Sequence, residues 1–357
     1  MKKTGIIMGL ILPLIFLLSC GEDPDPDETE VVEITENISS STTWSGNTIY
    51  VIKKYDFYVD ASLTIMPGAI IKFTEEGANM TIGNEGSITA NGESDDPVVF
   101  TAYADDAHGG DTNDEGSSSA SAGDWGMIDV NEHNADFTWC EFYYGGSNTD
   151  GVTLRYPSGS TGTIDHCTIK NNMGMVSSNY FYGAVDARGA SADFTITNTM
   201  FENNDIPLSI NADISMGGSN TFVNNTHQGI FVTGFVNDVT TWEEHEVAFV
   251  YTGTNLQIGG PGSDNSKLNL GTGVVIKFLT DAEMYLYNGT SNLSDNYDNP
   301  DEVIYTSYKD DAYGGDSNGD GSATSPAASD WTGIYKDNQK NYVEWDNIKY
   351  DSHAFPV

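Results

Sequence analysis

The chain has 357 residues, of which 53 are Asp or Glu and only 14 are Lys or Arg, so its formal net charge is -39. This charge excludes nucleic acid and disfavours anionic membrane surfaces as partners, because both require clustered basic residues. A hydrophobic content of 38%, together with 38 glycines and few helix formers, indicates a folded domain made of strands and turns.

The N-terminus is typical of an exported lipoprotein. Basic residues precede an apolar run at 5–18 that is too short for a transmembrane helix, so residues 1–19 are predicted to be a signal peptide. The Leu-Leu-Ser-Cys sequence resembles a bacterial lipobox, which implies lipidation of Cys20 and a membrane anchor. Residues 20–38 are acidic and are interpreted as a solvated tether. This acidic run also resembles the surface-export signal of Bacteroidetes lipoproteins, which implies an outer-membrane location facing outward.

Two similar units, at about 42–142 and 240–350, flank a central segment at 143–239. Thr-Thr-Trp begins both units, and Ile-Lys-Phe recurs at 71–73 and 276–278. Within the units, short runs of alternating apolar residues are separated by Gly, Asn and Asp, which indicates an all-β fold. Sandwich, barrel and solenoid all satisfy this pattern.

The central segment favours the solenoid. Paired asparagines follow an apolar residue at 171–172, 203–204 and 224–225, spaced 32 and 21 residues apart. Asparagine tolerates the left-handed backbone of a tight corner, and its amide can hydrogen-bond to the coil above. We therefore predict a parallel β-helix over residues 39–357, with these asparagines in a structural role.

An aspartate-rich loop occurs once in each unit, at 105–117 and 310–322, and nine of the thirteen aligned positions are identical. Oxygen-bearing side chains at alternate positions, followed by glycine, resemble the first half of an EF-hand-like calcium loop. The alternative is a solvated acidic turn, but closely packed carboxylates repel one another unless a cation screens them. The predicted calcium ligands are Asp105, Asp106, Asp111, Asn113, Glu115 and Asp124, and Asp310, Asp311, Asp316, Asn318, Asp320 and Asp330.

Candidate catalytic and ligand-binding residues are few. Arg188 is the one basic residue suited to lyase chemistry beside a bound cation, and Asp165 with His166 is a weak candidate pair for a hydrolase. The hydrolase motifs themselves are absent, and a lone Asp-His pair on a solenoid is more often a satisfied surface pair. Four tyrosines that either stack on a sugar or pack between coils are Tyr143, Tyr144, Tyr180 and Tyr182. Cys140 and Cys167 are predicted to be buried thiols, one above the other in the core.

Several motifs together resemble the bacterial right-handed parallel β-helix, pectin-lyase-like surface proteins that are common as Bacteroidetes lipoproteins. The motifs are Leu63-Thr64-Ile65, Pro67-Gly68, Ile71-Lys72-Phe73, Pro97 to Thr101 and Gly123-Asp124-Trp125-Gly126. The resemblance covers nearly all of 40–350. It implies the architecture, with the two Asp-rich loops as insertions, and leaves the activity open.

Three function classes fit these observations. The favoured one is a calcium-stabilised surface lipoprotein that binds glycan or mediates adhesion without catalysis. A polysaccharide lyase or glycoside hydrolase is the second, and a structural module of an envelope assembly is the third. Because the sequence stops at 357, partway through a coil, we also expect either that the sequence is truncated or that the last coil pairs with a partner, for example end to end with a second copy.

Overall fold

The computed structural model describes residues 29–353, except 75, 76, 84, 179, 263, 264 and 337–339. It confirms an all-β solenoid in which long parallel sheets stack along the chain as a parallel β-helix. Across the described ranges the helical content is a single 3-10 turn at Gly289–Asn292. The predicted signal peptide and the predicted lipidation site, Cys20, lie outside the described residues.

Each coil contributes one short strand to each of several sheets. The strands of the first unit are β1 (Glu30–Ile34), β2 (Thr42–Trp44), β3 (Thr48–Ile52), β4 (Asp56–Val59), β5 (Ser62–Ile65), β6 (Ile70–Phe73), β7 (Asn79–Ile82), β8 (Ser87–Asn91), β9 (Val98–Ala102), β10 (Ile128–Asp129), β11 (Asn134–Thr138) and β12 (Cys140–Tyr143). The strands of the central coils are β13 (Leu154–Arg155), β14 (Thr161–Asp165), β15 (Thr168–Lys170), β16 (Met175–Ser177), β17 (Tyr180–Tyr182), β18 (Val185–Ala187), β19 (Thr195–Thr197), β20 (Met200–Glu202), β21 (Leu208–Asn211), β22 (Thr221–Val223) and β23 (Gly229–Thr233).

The second unit follows with β24 (Val239–Trp242), β25 (Ala248–Tyr251), β26 (Asn255–Ile258), β27 (Lys267–Leu270), β28 (Val274–Phe278), β29 (Glu283–Leu286), β30 (Val303–Ser307), β31 (Gly333–Lys336) and β32 (Asn341–Tyr342). The eight-stranded sheet has the order β1-β3-β6-β9-β12-β15-β20-β22, and the six-stranded sheet has the order β19-β14-β11-β8-β5-β2. The ten-stranded sheet runs β30-β28-β25-β23-β21-β18-β13-β10-β7-β4 and extends through both units.

In most strands, alternation of side chains places one apolar face inside the solenoid. In β5, for example, Leu63 and Ile65 are fully buried, whereas Ser62 is exposed. Some strands are buried on both faces, which shows that other parts of the chain cover the outer surface there. All five residues of β9 and all four of β25 are buried, as expected for parallel strands that are covered on both sides.

The asparagine pairs form the corners of the central coils, as predicted. The first asparagine of each pair has a left-handed backbone, with φ between 53° and 58° at Asn171, Asn203 and Asn224. The second asparagine is buried and bonds to the next coil: the Nδ2 of Asn172 donates to the Oδ1 of Asn204 at 3.1 Å. Asn204 repeats this bond one coil further on, so a ladder of amides joins successive coils.

Part of the segment predicted to be an acidic tether, Glu30–Ile34, is a strand of the solenoid. The solenoid already begins at Glu30, because β1 pairs in parallel with β3, from Glu30 opposite Thr48 to Ile34 opposite Ile52. Val32 and Ile34 pack against the core. The apolar residues between the glutamates bury one face of the segment, and this outweighs its acidic character.

The two repeated units use different sheets for the same motif. In the first unit, Ile-Lys-Phe lies in β6 of the eight-stranded sheet, whereas in the second unit it lies in β28 of the ten-stranded sheet. The eight-stranded sheet ends at β22. The next strand, β23, lies in the ten-stranded sheet, and β24 pairs only with β27 among the described strands. The two acidic loops therefore leave the solenoid from different sheets, after β9 and after β30.

The two cysteines are free buried thiols, as predicted. The backbone N–H of Cys140 lies 3.4 Å from the Sγ of Cys167, in the adjacent coil. At the C-terminal end, β32 pairs antiparallel with β31, and Ile348 forms a bridge with Tyr305. The expected pairing of this end with a second copy stays a prediction.

Candidate functional site

The second acidic loop, residues 310–330, lies against the outer surface of the ten-stranded sheet. The backbone N–H of Gln228 donates to the carbonyl oxygen of Asp316 at 2.9 Å, and that of Ala248 donates to the carbonyl oxygen of Gly314 at 3.2 Å. These bonds join the loop to segments at β23 and β25, about 60 to 90 residues earlier in the chain. The loop is therefore docked on the sheet over several coils.

A buried lysine lies beneath each acidic loop. Lys72 and Lys277 are both fully buried. The ammonium of Lys72 donates to the carbonyl oxygens of Asp105 and Gly110 at 2.9 and 2.8 Å. The ammonium of Lys277 donates to the carbonyl oxygen of Gly315, the residue equivalent to Gly110. The Ile-Lys-Phe motif thus supplies a cation that holds the backbone of the loop, a role that the sequence analysis missed.

Three carboxylates of the second loop converge. One oxygen from each of Asp311, Asp316 and Asp320 lies within 4.8 Å of the others, so this triad could hold a metal ion. The buried Oδ1 of Asp311 has no hydrogen-bond partner. Burial and the charges of Asp316 and Asp320 raise the pKa of Asp311. Asn318 adjoins the triad, with its Oδ1 accepting from the backbone N–H of Asp320 at 3.3 Å.

The first acidic loop, residues 105–124, differs from the second at Asp106. Asp106, the counterpart of Asp311, accepts a hydrogen bond at 3.0 Å from the hydroxyl of Ser118 and a second one from the Ser118 N–H. Asn113 accepts from the N–H of Glu115 at 3.2 Å, as Asn318 does from that of Asp320, so the two loops agree at this turn. Over the ranges that the structure describes, a converging carboxylate triad occurs in the second loop and not around Asp111 in the first.

The first aspartate of each loop caps the loop backbone. Asp105 and Asp310 are almost completely buried, and each accepts a hydrogen bond of 2.6 Å from a threonine hydroxyl, that of Thr101 or Thr306. Burial alone would raise the pKa of Asp105. Hydrogen bonds from His108 and Thr101 outweigh burial and lower this pKa. These two predicted ligands therefore have structural partners within their own loops.

The last predicted ligand of each loop closes a turn. Asp124 accepts from the N–H of Ser121 at 2.8 Å, and Asp330 accepts from the N–H of Ala327 at 2.9 Å. Asp330 also forms an ion pair of 2.8 Å with Lys309. Of the twelve predicted ligands, three are thus brought together, and eight of the other nine hold loop backbone or bond to nearby side chains; the ninth, Glu115, is exposed.

A cavity of about 540 Å³ lies between the second loop and a hairpin formed by β16 and β17. The ring of Phe181 on the hairpin stacks on Phe231 with centroids 4.6 Å apart, and it meets Tyr308 edge to face at 5.8 Å. Asn318 of the loop lines the same cavity. Its polar wall includes His227, whose buried Nδ1 lacks a hydrogen-bond partner.

The predicted catalytic residues do not come together. Arg188 follows β18 of the ten-stranded sheet and forms two hydrogen bonds of 2.7 Å with Asp186. Its guanidinium lies over the ring of Tyr182, 4.2 Å from the centroid. Asp165 ends β14 of the six-stranded sheet, and its carboxylate lies 2.9 Å from the imidazole Nδ1 of His166.

The predicted tyrosines divide into two groups. Tyr143 stacks on His108 of the first loop at 4.5 Å, and Tyr144 packs against the core at a left-handed corner. Tyr180 is 62% exposed at the tip of the hairpin, while Tyr182 lies under Arg188. None of the four lines the cavity, although Tyr180 and Tyr182 flank Phe181, which does.

Comparison with protein-family models, with curated proteins and with solved structures gives no match. Within the described part of the chain there is also no helix with the length and apolar character needed to cross a membrane.

Proposed function

We propose that this protein is a calcium-stabilised β-helix lipoprotein, anchored at the outer membrane through Cys20, that binds glycan at the cell surface without catalysis. The observation that carries the proposal is the carboxylate triad of Asp311, Asp316 and Asp320 in a loop docked on the solenoid. A cation at the triad would stabilise the loop, and with it one wall of the adjacent cavity.

Calcium suits the triad better than other metals. The available ligands are hard oxygen atoms on a flexible loop, and calcium accepts six to eight such ligands with loose geometry. Asn318 is placed to add an amide oxygen after rotation of its side chain. The unpartnered oxygen of Asp311 is further support, because a buried carboxylate oxygen without a partner is costly and a cation would satisfy it.

Binding is favoured over catalysis by the contacts of the candidate catalytic residues. Arg188 is engaged by Asp186 and Tyr182, which leaves it poorly placed to act as a base. His166 packs against Trp139 with the two rings tilted by 30° and their centroids 4.3 Å apart. The lyase or hydrolase alternative requires these groups to meet at one groove, and they belong to different sheets.

Calcium titration calorimetry on the purified protein tests the proposal. We expect the wild type to bind calcium at micromolar concentration, and we expect Asp316→Asn to weaken this binding at least tenfold. Asp111→Asn, the equivalent change in the first loop, is the matched control and should leave that binding event intact. At a calcium concentration of 100 times Kd, the bound ion should add about 2.7 kcal/mol to the free energy of unfolding. Absence of binding below millimolar calcium would refute the site.

The same variants test the first loop. Loss of a separate calcium-binding event in Asp111→Asn would establish the second site that the sequence repeat predicts. The lipid anchor is checked independently by mass spectrometry of the mature N-terminus, where an unmodified Cys20 would remove the surface assignment.

A further inference from the structure

We infer that the cavity between the β16–β17 hairpin and the second acidic loop binds an uncharged sugar, and that a cation at the aspartate triad strengthens this binding. The inference rests on the proposed function and gives its glycan a location and a chemical class. It joins two features of the structure that the sequence places far apart, the hairpin at 175–182 and the loop at 310–330.

The size and the walls of the cavity suit a small ligand. Its volume of about 540 Å³ falls within the range of roughly 300–1,000 Å³ that is usual for small-molecule sites. Phe181 is held in place by stacking on Phe231 and by the edge of Tyr308, so the aromatic part of the wall is rigid. Phe181 is only 4% exposed, so together with Leu279 it offers a small fixed apolar contact to the C–H groups of a sugar ring at little cost in side-chain entropy.

The polar wall has unused hydrogen-bonding capacity. The Nδ1 of His227 is buried without a hydrogen bond, although it lies 3.4 Å from the Oδ1 of Asp205. Thr254 and Thr280, which are both exposed, also line the cavity. Buried polar atoms normally have partners, and an unpaired one requires an explanation. Sugar hydroxyls, which both donate and accept, would provide partners for all these groups.

The charge of the site selects against acidic sugars. Its lining includes Asp205 and no lysine or arginine, and the carboxylates of Asp316 and Asp320 lie on the loop that forms one wall. A uronate or sulfated sugar would meet like charges in a partly desolvated space, which is unfavourable. A neutral hexose or pentose unit avoids this cost.

The triad is coupled to the cavity through Asn318 and Gly319. The Nδ2 of Asn318 donates to the Oδ2 of Asp320 at 3.0 Å, and Asn318 itself lines the cavity. Gly319 lies so close to His227 that a Cβ at this position would be 3.0 Å from its Nε2. A cation held by Asp320 would therefore fix two neighbours of the ligand. Coupling of this kind is reciprocal, so the sugar should also tighten cation binding.

Titration calorimetry with defined oligosaccharides tests the inference. The probes are the neutral tetrasaccharides of glucose, xylose and mannose, with tetragalacturonate as the anionic comparator, each in 1 mM calcium and in excess chelator. We expect at least one neutral probe to bind, its affinity to fall at least fivefold on chelation, and tetragalacturonate to bind more weakly. Failure of all neutral probes, or stronger binding of tetragalacturonate, would overturn the inference.

Variants locate the binding. Phe181→Ala and Asp205→Asn should each lower the affinity for the neutral probe at least tenfold. Tyr180→Ala, on the same hairpin but outside the cavity, should leave this affinity unchanged. Asp205→Asn is nearly isosteric at a partly exposed position, so it remains informative if Phe181→Ala perturbs the hairpin. Sugar binding that neither cavity variant affects would place the glycan elsewhere: it would overturn this inference and leave the proposed function intact. Normal calcium binding with no sugar binding would instead refute the glycan role and retain the calcium site.

Discussion

A buried lysine lies beneath each acidic loop, and burying its charge is costly. Burial lowers the pKa of Lys277 to about 8, although Asp310, Asp311 and Asp316 act to raise it. An ammonium is retained in such a place only when oxygen atoms replace its water, and here the loop provides them. Besides the carbonyl oxygen of Gly315, the Lys277 ammonium donates to the hydroxyl of Ser317 at 2.9 Å.

Removing one lysine should release one loop. Lys277→Met keeps a side chain of similar volume, but it removes the cation beside the carbonyl oxygen of Gly315 and the nearby carboxylates. We expect a loss of about 3 kcal/mol in the free energy of unfolding, because the groups left behind remain buried and uncompensated. Urea unfolding and protease cleavage within 310–330 measure the effect. Lys336→Met, at the exposed end of β31, is the control, and equal behaviour of the two variants would contradict the role of Lys277.

The stability contributed by Asp105 should depend on pH. Its pKa in the folded protein is lowered from the ordinary value of 3.8, so the charged form is favoured by folding. This contribution is present above pH 3.8 and is lost as the pH falls through the lower, folded value. Asp105→Asn should therefore cost about 1–3 kcal/mol at pH 7, with a smaller difference from the wild type below pH 3. Asp114→Asn, at an exposed position of the same loop, should show no such pH-dependent difference.

At the level of elements, the amide ladder should be essential to the central coils. Asn204 is fully buried, donates to the carbonyl oxygen of Ile169 at 2.8 Å, and accepts from the backbone N–H of Asn172 at 3.0 Å. Asn204→Ala leaves these buried groups unpaired, at about 1–3 kcal/mol each. Asn203→Gly is the control, since glycine accepts the left-handed corner without strain. The rate of hydrogen exchange at the backbone amides of residues 169–172 measures the loss of stability at this position. Equal protection in the two variants would mean that the ladder does not stabilise the coils.

The same elements show how far the sequence predicts the fold. Alternating apolar residues and paired asparagines are local patterns, and they correctly indicated the inward faces, the corners and the parallel β-helix. The change of sheet between Lys72 and Lys277 has no local signal, because it depends on which distant strands pair. The divergence of the loops at Asp106 and Asp311 depends on a hydrogen bond to Ser118, which the repeat does not encode. The cavity was missed since its walls, around Phe181 and Asn318, belong to segments remote in sequence.

At the scale of the whole molecule, the excess of acidic residues opposes compactness. With 53 acidic and 14 basic residues, acidic side chains outnumber basic ones nearly fourfold, and their mutual repulsion is greater in the folded chain than in the unfolded one. The buried lysines relieve this repulsion only beneath the two loops. Calcium bound at the triad would relieve the repulsion at that site. Screening of all charges by salt and binding of calcium at the triad should therefore be separable by experiment.

Titration with sodium chloride and with calcium separates them. Raising sodium chloride from 10 to 300 mM shortens the screening length from about 30 Å to below 10 Å, so the midpoint of thermal unfolding should rise in wild type and in Asp316→Asn alike. Micromolar calcium in 300 mM sodium chloride should raise it further in the wild type but not in Asp316→Asn, because mass action on a specific site persists when long-range repulsion is screened. Asp114→Asn removes the same formal charge at an exposed position outside the triad, and it should respond to both salts as the wild type does. A calcium response that disappears in 300 mM sodium chloride would identify it as screening rather than binding at the triad.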